Sequence, residues 1–322
     1  MFINILLFLW GLALLYLGAE MLVRGASRLA YLARIKPVVI GLTVVAFGTS
    51  FPEFITSLVA AFKDKGDVAL GNIIGSNIAN ICLILGISSL IRPIEVDVES
   101  VKKEMYWLFA SSLLFLLFGF GGYIGMLEGV ILFGGIVVFT IILIRSSVQD
   151  RKKEPVEQVI RPEFRYFKDL SAPRRLAIYL LIALAGVVLL VLGSERLIMS
   201  ATTIANRLGV SDIIIGLSLV AFGTSLPELA TALISIVRKE NDILIGNIIG
   251  SNIFNLLFVG GLLAAFFGIP LQEHVIIVDI PVMFVISLSL VPMIFIRKRF
   301  SRTSGLLLVA AYIIYNLYIF NS

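Results

Sequence analysis

The sequence holds little of what soluble enzymes rely on. Of 322 residues one is cysteine and one is histidine, and only 15% are charged. A single Cys82 excludes an intrachain disulfide and a cysteine-based metal cluster. A single His274 excludes a multi-histidine metal site. A soluble domain has roughly a quarter of its residues charged. What fills this chain instead is apolar, with 59% hydrophobic residues and a mean hydropathy of +1.04. Its uncharged runs approach the roughly 20 residues that cross a bilayer, so they imply transmembrane helices. A pI near 9.3 is compatible with nucleic-acid binding, and the location of the charges decides that question.

Apolar runs fall near 2–23, 38–62, 68–91, 105–122, 126–145, 176–197, 213–237, 243–268, 275–296 and 304–320. The first lacks the basic stretch that opens a signal peptide, so it is expected to be a retained helix. The polar stretch between the fifth and sixth runs carries Arg151, Lys152, Lys153, Pro155, Pro162 and Pro173. The expected organisation is a first five-helix repeat over 1–145, a cytoplasmic linker over 146–174 and a second five-helix repeat over 175–322.

The two halves share text. Residues 41–53 read GLTVVAFGTSFPE and 216–228 read GLSLVAFGTSLPE, while 71–80 read GNIIGSNIAN and 246–255 read GNIIGSNIFN. Both blocks are offset by 175 residues, as are Gly18 and Glu20 from Gly193 and Glu195. An odd number of spans per repeat makes the second half enter the membrane from the opposite side. The halves are then inverted repeats. Lys and Arg test this. In the ten-span arrangement 22 of them fall on one side, and only Lys63, Lys65, Arg196 and Arg207 on the other. The positive-inside rule puts the larger set in the cytoplasm, with both termini outside. The basic pI thus reflects topology and lipid headgroups, not nucleic acid.

Glu53 and Glu228 carry the chemistry. Each lies near the middle of an apolar span, where a charge costs several kcal/mol (roughly 2.5–3.5 on insertion scales) and needs a partner or a water-filled cavity. Inverted pseudo-symmetry brings equivalent positions towards the central axis. Two carboxylates there resist joint ionisation. A divalent cation, two monovalent cations or protons would relieve them, and hard carboxylate oxygens suit Ca²⁺.

Each glutamate follows Gly-Thr-Ser-x-Pro. Pro52 and Pro227 cannot donate a backbone hydrogen bond. Carbonyls near Ala46, Phe47 and Thr49, and near Ala221, Phe222 and Thr224, are expected to leave the helical ladder and face a cavity. Helices 2, 3, 7 and 8 are therefore expected to be broken. In the second block Asn72, Ser76 and Asn80 share one helix face, as do Asn247, Ser251 and Asn255. Asn72 and Asn247 are the first candidates for plain interhelical glue. Gly71 and Gly75 predict a close helix approach.

Other polar residues read more simply. Glu20 and Glu195 are expected to face headgroups or to pair with Arg24 and Arg196. His274 falls in an outer loop, Cys82 is a small packing residue, and Asp64, Asp67 and Asp242 belong to short solvated loops. A channel fits inverted repeats poorly. An intramembrane enzyme lacks both an H-E-x-x-H motif and a histidine for a serine dyad.

The paired GTS-x-PE and GSNI-x-N blocks resemble the alpha-repeats of the cation/calcium antiporter superfamily, and among them prokaryotic sodium/calcium exchangers. The resemblance covers essentially the whole chain. It implies an all-α integral membrane protein of ten helices in two inverted repeats, placed in the cell membrane. It implies Ca²⁺ and Na⁺ (or H⁺) as transported ions, with no cofactor and no obligatory protein partner. Carried over by residue, a calcium site would use Glu53, Glu228 and the carbonyls of Thr49 and Thr224. One sodium site would use Ala46, Thr49, Ser50, Glu228 and Ser251. Its symmetry mate would use Ala221, Thr224, Ser225, Glu53 and Ser76, with a middle position among Glu53, Asn80, Glu228 and Asn255. Exchangers of this type commonly carry an aspartate where this chain has Asn255. The superfamily also holds calcium/proton, other divalent-cation and potassium-dependent branches, and these are the alternatives.

Overall fold

The computed structural model describes residues 2–153, 170–208 and 223–321. Most of the linker, Ala221 and Phe222 lie outside the described residues. The described chain is helical apart from four two-residue strands. Seven of its helices are long and apolar enough to cross a membrane, or up to eight if one interrupted pair counts as a span. The span expected over 213–237 is only partly described. The helix Val98–Gly119 is not among the seven, because Lys102, Lys103 and Glu104 crowd its first turns.

The chain divides into two compact units. They do not follow the repeats: one takes residues 1–49 and 140–247, the other 50–139 and 248–322. Each unit therefore draws on both halves of the sequence.

The first unit is organised around helices α1 (Phe2–Ala33) and α9 (Ala172–Arg207), which pack along each other. At 1.5 Å per residue they are about 48 and 54 Å long, more than the roughly 30 Å of hydrocarbon. Glycines make the contact. A Cβ on Gly18 would stand 2.7 Å from the Leu190 nitrogen, and one on Gly186 would stand 2.6 Å from the Leu22 nitrogen. Ala19, Leu22, Ala26, Ala183, Leu190 and Leu197 fill the seam. The next helical pieces are α2 (Pro37–Ile40), a π-helical turn Gly41–Val45 and α3 (Ala46–Thr49). Helix α10 (Leu226–Arg238) lies against α1. An ionic contact fixes that crossing. Glu20 on α1 takes Arg24 from one turn on, as expected, and also accepts from Arg238 at the end of α10, with Nε 3.1 Å from Oε2. Ser27 donates to Glu240 at 3.0 Å beside it.

The second unit holds α4 (Phe51–Phe62), α5 (Gly66–Ile78), a π-helical segment Ala79–Leu85 and α6 (Gly86–Ile91). Helix α7 (Val98–Gly119) follows, then most of the apolar part of α8 (Met126–Lys153). From the other repeat come residues of α11 (Asn241–Phe254), a π-helical segment Asn255–Gly260 and α12 (Gly261–Phe267). Helices α13 (Ile280–Val291) and α14 (Arg302–Asn321) complete it. Helix α8 continues to Lys153, past the boundary at 145 read from the apolar run. The helix hydrogen-bond ladder does not stop where lipid-facing residues do.

Two short antiparallel pairs tie loops of opposite repeats together in this unit. Strand β1 (Ile94–Glu95) pairs β4 (Arg299–Phe300), and β2 (Tyr123–Ile124) pairs β3 (Ile269–Pro270). No sequence pattern announces them, since two residues are too few for a periodic signal.

The close approach expected at Gly71 and Gly75 needs correction. A Cβ at either would meet nothing within 4 Å, among the described residues. Helix α5 meets α4 through the amide of Asn72 instead. The symmetry mate of Gly71 does make a tight contact, a Cβ on Gly246 falling 2.4 Å from the Val38 carbonyl oxygen.

Gly18→Ala should therefore lower stability by about 1–3 kcal/mol through overpacking of a backbone contact. Gly134→Ala, in a helix and with nothing within 4 Å, should be neutral or stabilising by up to about 1 kcal/mol. Thermal unfolding in detergent distinguishes them, and equal midpoints would refute the seam.

Candidate functional site

The two GTS-x-PE blocks fold the same way where both are described. Helix α3 ends at Thr49, and α4 starts at Phe51 with Ser50 as its cap residue at φ −84°, ψ 4°. In the other repeat Ser225 caps α10 at φ −88°, ψ 7°. Both serines sit in the sparsely populated bridge region. The proline falls in the first turn of each new helix, where a missing N–H costs nothing because that donor has no helical acceptor. It therefore starts a helix as much as it breaks one. Gly48 still loses the donor that its carbonyl would have met at position 52, since proline has none.

Each glutamate is thereby the third residue of a restarted helix. Glu53 and Glu228 are both 1% exposed. The exposed N–H groups of a helix start and its dipole favour an anion there. Anchoring from the side adds to this. In the second unit Asn72 donates to the Glu53 carbonyl at 3.0 Å and to the Ser57 hydroxyl at 2.8 Å. Asn72 is thus the glue expected of it, and it holds the backbone of the glutamate. Phe54, next to Glu53, packs edge-on against Phe258 with ring centroids 5.1 Å apart. Helix α4 thereby touches both α5 and the π-helical segment that begins with Asn255. In the first unit Thr49 donates to the Asn247 amide oxygen at 3.1 Å, and α3 packs against α10, which carries Glu228.

The remaining candidates are also inside. Ala46, Thr49, Ser50, Ser76, Asn80, Thr224, Ser225, Ser251 and Asn255 are all buried. Ala46, Thr49, Thr224, Ser225 and Glu228 belong to the first unit, and Ser50, Glu53, Ser76, Asn80, Ser251 and Asn255 to the second. Ala221 lies outside the described residues.

Two features escape a reading of sequence alone. The first is the π-helix. Asn80 lies in the segment Ala79–Leu85 and Asn255 opens the segment Asn255–Gly260. Such widened turns are frequent at functional sites, although Val275–Asp279 and Pro292–Ile296 are π-helical too and hold none of the candidate residues. The second is the state of the amides. Among the described residues neither the oxygen nor the nitrogen of Asn80 or Asn255 has a hydrogen-bond partner, although each residue is 1% exposed. Such groups call for a ligand, an ion or a water. Among the described residues no group of three or more His, Cys, Asp or Glu could hold a metal ion. Neutral oxygens would have to supply much of any coordination shell.

An all-helical membrane protein with a duplicated helix interruption, and a buried carboxylate behind each interruption, has the build of an ion transporter. The family comparison gives the particular lineage. The chain belongs to the sodium/calcium exchanger family, whose model, described as "Sodium/calcium exchanger protein", matches residues 3–145 and 178–321. The inner membrane protein YrbG of Escherichia coli is 35% identical over 78% of this chain and 76% of its own length. The sodium/calcium exchanger MaX1 of Methanosarcina acetivorans is 29% identical over 99% of both chains. The solved sodium/calcium exchanger of Methanococcus jannaschii superposes with a TM-score of 0.81 at 31% identity. That match covers 97% of this chain and 96% of the other.

Replacing Asn72 by Ala removes both bonds that join α5 to the Glu53 turn. The expected loss is about 1–3 kcal/mol, since the carbonyl and hydroxyl stay buried without that donor. Thermal unfolding would show a lowered midpoint, and a wild-type midpoint would mean the amide is dispensable.

Proposed function

We propose that the protein is a secondary active antiporter that exchanges Ca²⁺ for Na⁺ across the cell membrane. The observation that carries this reading is the pair of glutamates, each 1% exposed and each the third residue of a helix restarted after Gly-Thr-Ser-x-Pro. Family membership supports the same conclusion. Glu53, Glu228 and the carbonyls of Thr49 and Thr224 are the proposed calcium ligands. Ala46, Ser50 and Ser251, with Ala221, Ser225 and Ser76, extend the set for sodium, and Asn80 and Asn255 lie at its middle.

Charge accounts for the exchange. Two bare carboxylates carry −2 and are costly to enclose in hydrocarbon, so the empty protein should not cross over. One Ca²⁺ neutralises them. Three Na⁺ leave +1, which makes the cycle electrogenic, whereas two H⁺ would leave it electroneutral. Alternating access would have α1 and α9 move as a pair past the remaining helices. Their close packing through glycine backbone suits a pair that moves as one body, and the Glu20–Arg238 contact would have to break or travel with it.

The proposed topology is ten spans in inverted halves, with both termini outside. The strand pairs support it. The loop carrying β1 must share a side with the loop carrying β4, and β2 with β3. Ten inverted spans put the first pair in the cytoplasm and the second outside. The amide at Asn255 favours a proton-coupled or other divalent-cation branch as the second reading, because it removes a carboxylate that related exchangers commonly have.

The test is ⁴⁵Ca²⁺ uptake into proteoliposomes loaded with Na⁺, with K⁺ or with a proton gradient. Uptake that needs internal Na⁺ and responds to voltage is expected. Glu53→Gln and Glu228→Gln should each reduce it to the level of empty liposomes. Uptake driven by the proton gradient alone would move the protein to the proton-coupled branch. Uptake without any counter-ion, and indifferent to both variants, would sink the antiport reading.

A further inference from the structure

Helix α10 carries a polar stripe of which the proposed ion ligands use only the first residue. Glu228, Thr231, Ser235 and Arg238 stand at positions i, i+3, i+7 and i+10 of the helix Leu226–Arg238, so they share one face. At 1.5 Å per residue the stripe is about 15 Å long, half of the roughly 30 Å of hydrocarbon. It is long enough to run from the middle of a span to its edge. An adjoining face holds Leu226, Ala230 and Ile234, which pack into the apolar seam of α1 and α9. The stripe is not a by-product of the repeat, since the counterparts of Ser235 and Arg238 are Ala60 and Lys63.

Thr231 and Ser235 are 0% exposed, and among the described residues neither hydroxyl has a hydrogen-bond partner. A hydroxyl inside a helix can donate to a carbonyl one turn back. Thr43, Ser147, Ser194 and Thr203 of the same unit all do so. Thr231 and Ser235 leave that acceptor unused, on the face that carries a buried carboxylate. Buried polar groups in this state call for water or an ion, and polar groups beside an intramembrane carboxylate mark a route for one.

The far end of the stripe is shut. Arg238 donates to Glu20 on α1, with Nε 3.1 Å from Oε2, and Ser27 of α1 donates to Glu240 just beyond it. All of these residues belong to the first unit. A guanidinium at the mouth of a polar path is an electrostatic barrier to cations, and Glu20 holds it there from another helix. In the proposed topology this end is cytoplasmic.

We infer that Thr231 and Ser235 line the cytoplasmic limb of the route to Glu228, and that Arg238, held by Glu20, is its gate. The gate rests on the antiport reading for its role in the cycle. Glu20 is carried by α1, so displacement of α1 and α9 past α10 breaks the contact, frees Arg238 and lets water reach the two hydroxyls. Its existence is tested without transport.

Full-length protein carrying Cys82→Ala and Ser235→Cys is purified and treated with iodoacetamide, a small neutral reagent, and the rate of labelling is followed by mass. The introduced thiol is then the only one, since the sequence has a single cysteine. Labelling should be slow in this background. Adding Glu20→Gln or Arg238→Gln should raise the rate by about fivefold or more, the scale set by losing one ionic contact. Ile234→Cys, on the packed face of the same helix, should stay slow in every background. If Arg238→Gln does not fold, Glu20→Gln breaks the same contact and is read alone. A thiol at position 235 that labels at one rate with and without the ion pair would overturn the inference. Equal acceleration at position 234 would do the same, because it would show general loosening of the helix. Failure of Na⁺-driven Ca²⁺ uptake by the wild type would count against the antiport reading and leave the gated path standing.

Discussion

Hydrocarbon does not tolerate an unanswered polar group, and two glutamates in the middle of apolar spans make that constraint severe. The chain answers it with backbone. By restarting a helix after Ser50, and again after Ser225, it places N–H groups and the positive end of a helix dipole beside each carboxylate. Proline is the residue that allows this. In the first turn of the new helix its missing N–H leaves no donor there unpaired, and the same missing N–H leaves the carbonyl four residues earlier without its helical donor. The same residue thus builds a site for an anionic side chain and releases a carbonyl that can face a cation. Asn72 then anchors the Glu53 turn through its carbonyl, so the carboxylate is positioned by neighbouring backbone as well as by its own rotamer.

That logic was legible in the sequence where chemistry is local. Gly, Pro and Glu in a duplicated order state the interruption and the charge outright, and the hydropathy of the flanking runs states the solvent. Thr49, Ser50, Ser76 and Asn80, named as candidates from the two motifs, are all buried, whereas Asn72 on the face of Ser76 and Asn80 is only half-buried. What was illegible depends on tertiary packing. The π-helical segments at Ala79–Leu85 and Asn255–Gly260 leave no compositional trace, because one extra residue per turn is decided by what the helix packs against. The bond from Arg238 to Glu20 joins residues 218 apart, so only the nearby partner Arg24 could be foreseen. The compact units cut across the repeats, a division that sequence similarity cannot reveal, since similarity marks descent and compactness marks contact.

Glycine illustrates the same distinction. GNIIG occurs in both repeats, yet Gly246 lies against Val38 whereas Gly71 meets no described atom within 4 Å. Identical residues at equivalent positions need not make equivalent contacts, because each is packed by its own neighbours. An asymmetry of this kind is what the proposed alternating access would require of a repeated sequence.

The asparagines bring stability and function into direct opposition. A buried amide oxygen without a donor costs about 1–3 kcal/mol, and among the described residues Asn77, Asn80, Asn252 and Asn255 present four. A chain selected for stability alone would carry leucine there, since apolar replacements of similar volume are often neutral or stabilising. In the proposed exchanger a cation that met these oxygens would relieve that cost. Asn255 belongs to this economy. With an amide at Asn255 the region has a neutral oxygen and no third negative charge, and in the proposed exchanger one Ca²⁺ would cancel the −2 of the two glutamates. An added carboxylate would have to be carried protonated or be neutralised by a further ion. An amide stays neutral at every pH, so in the proposed cycle the protein's own charge at the site would rest on Glu53 and Glu228.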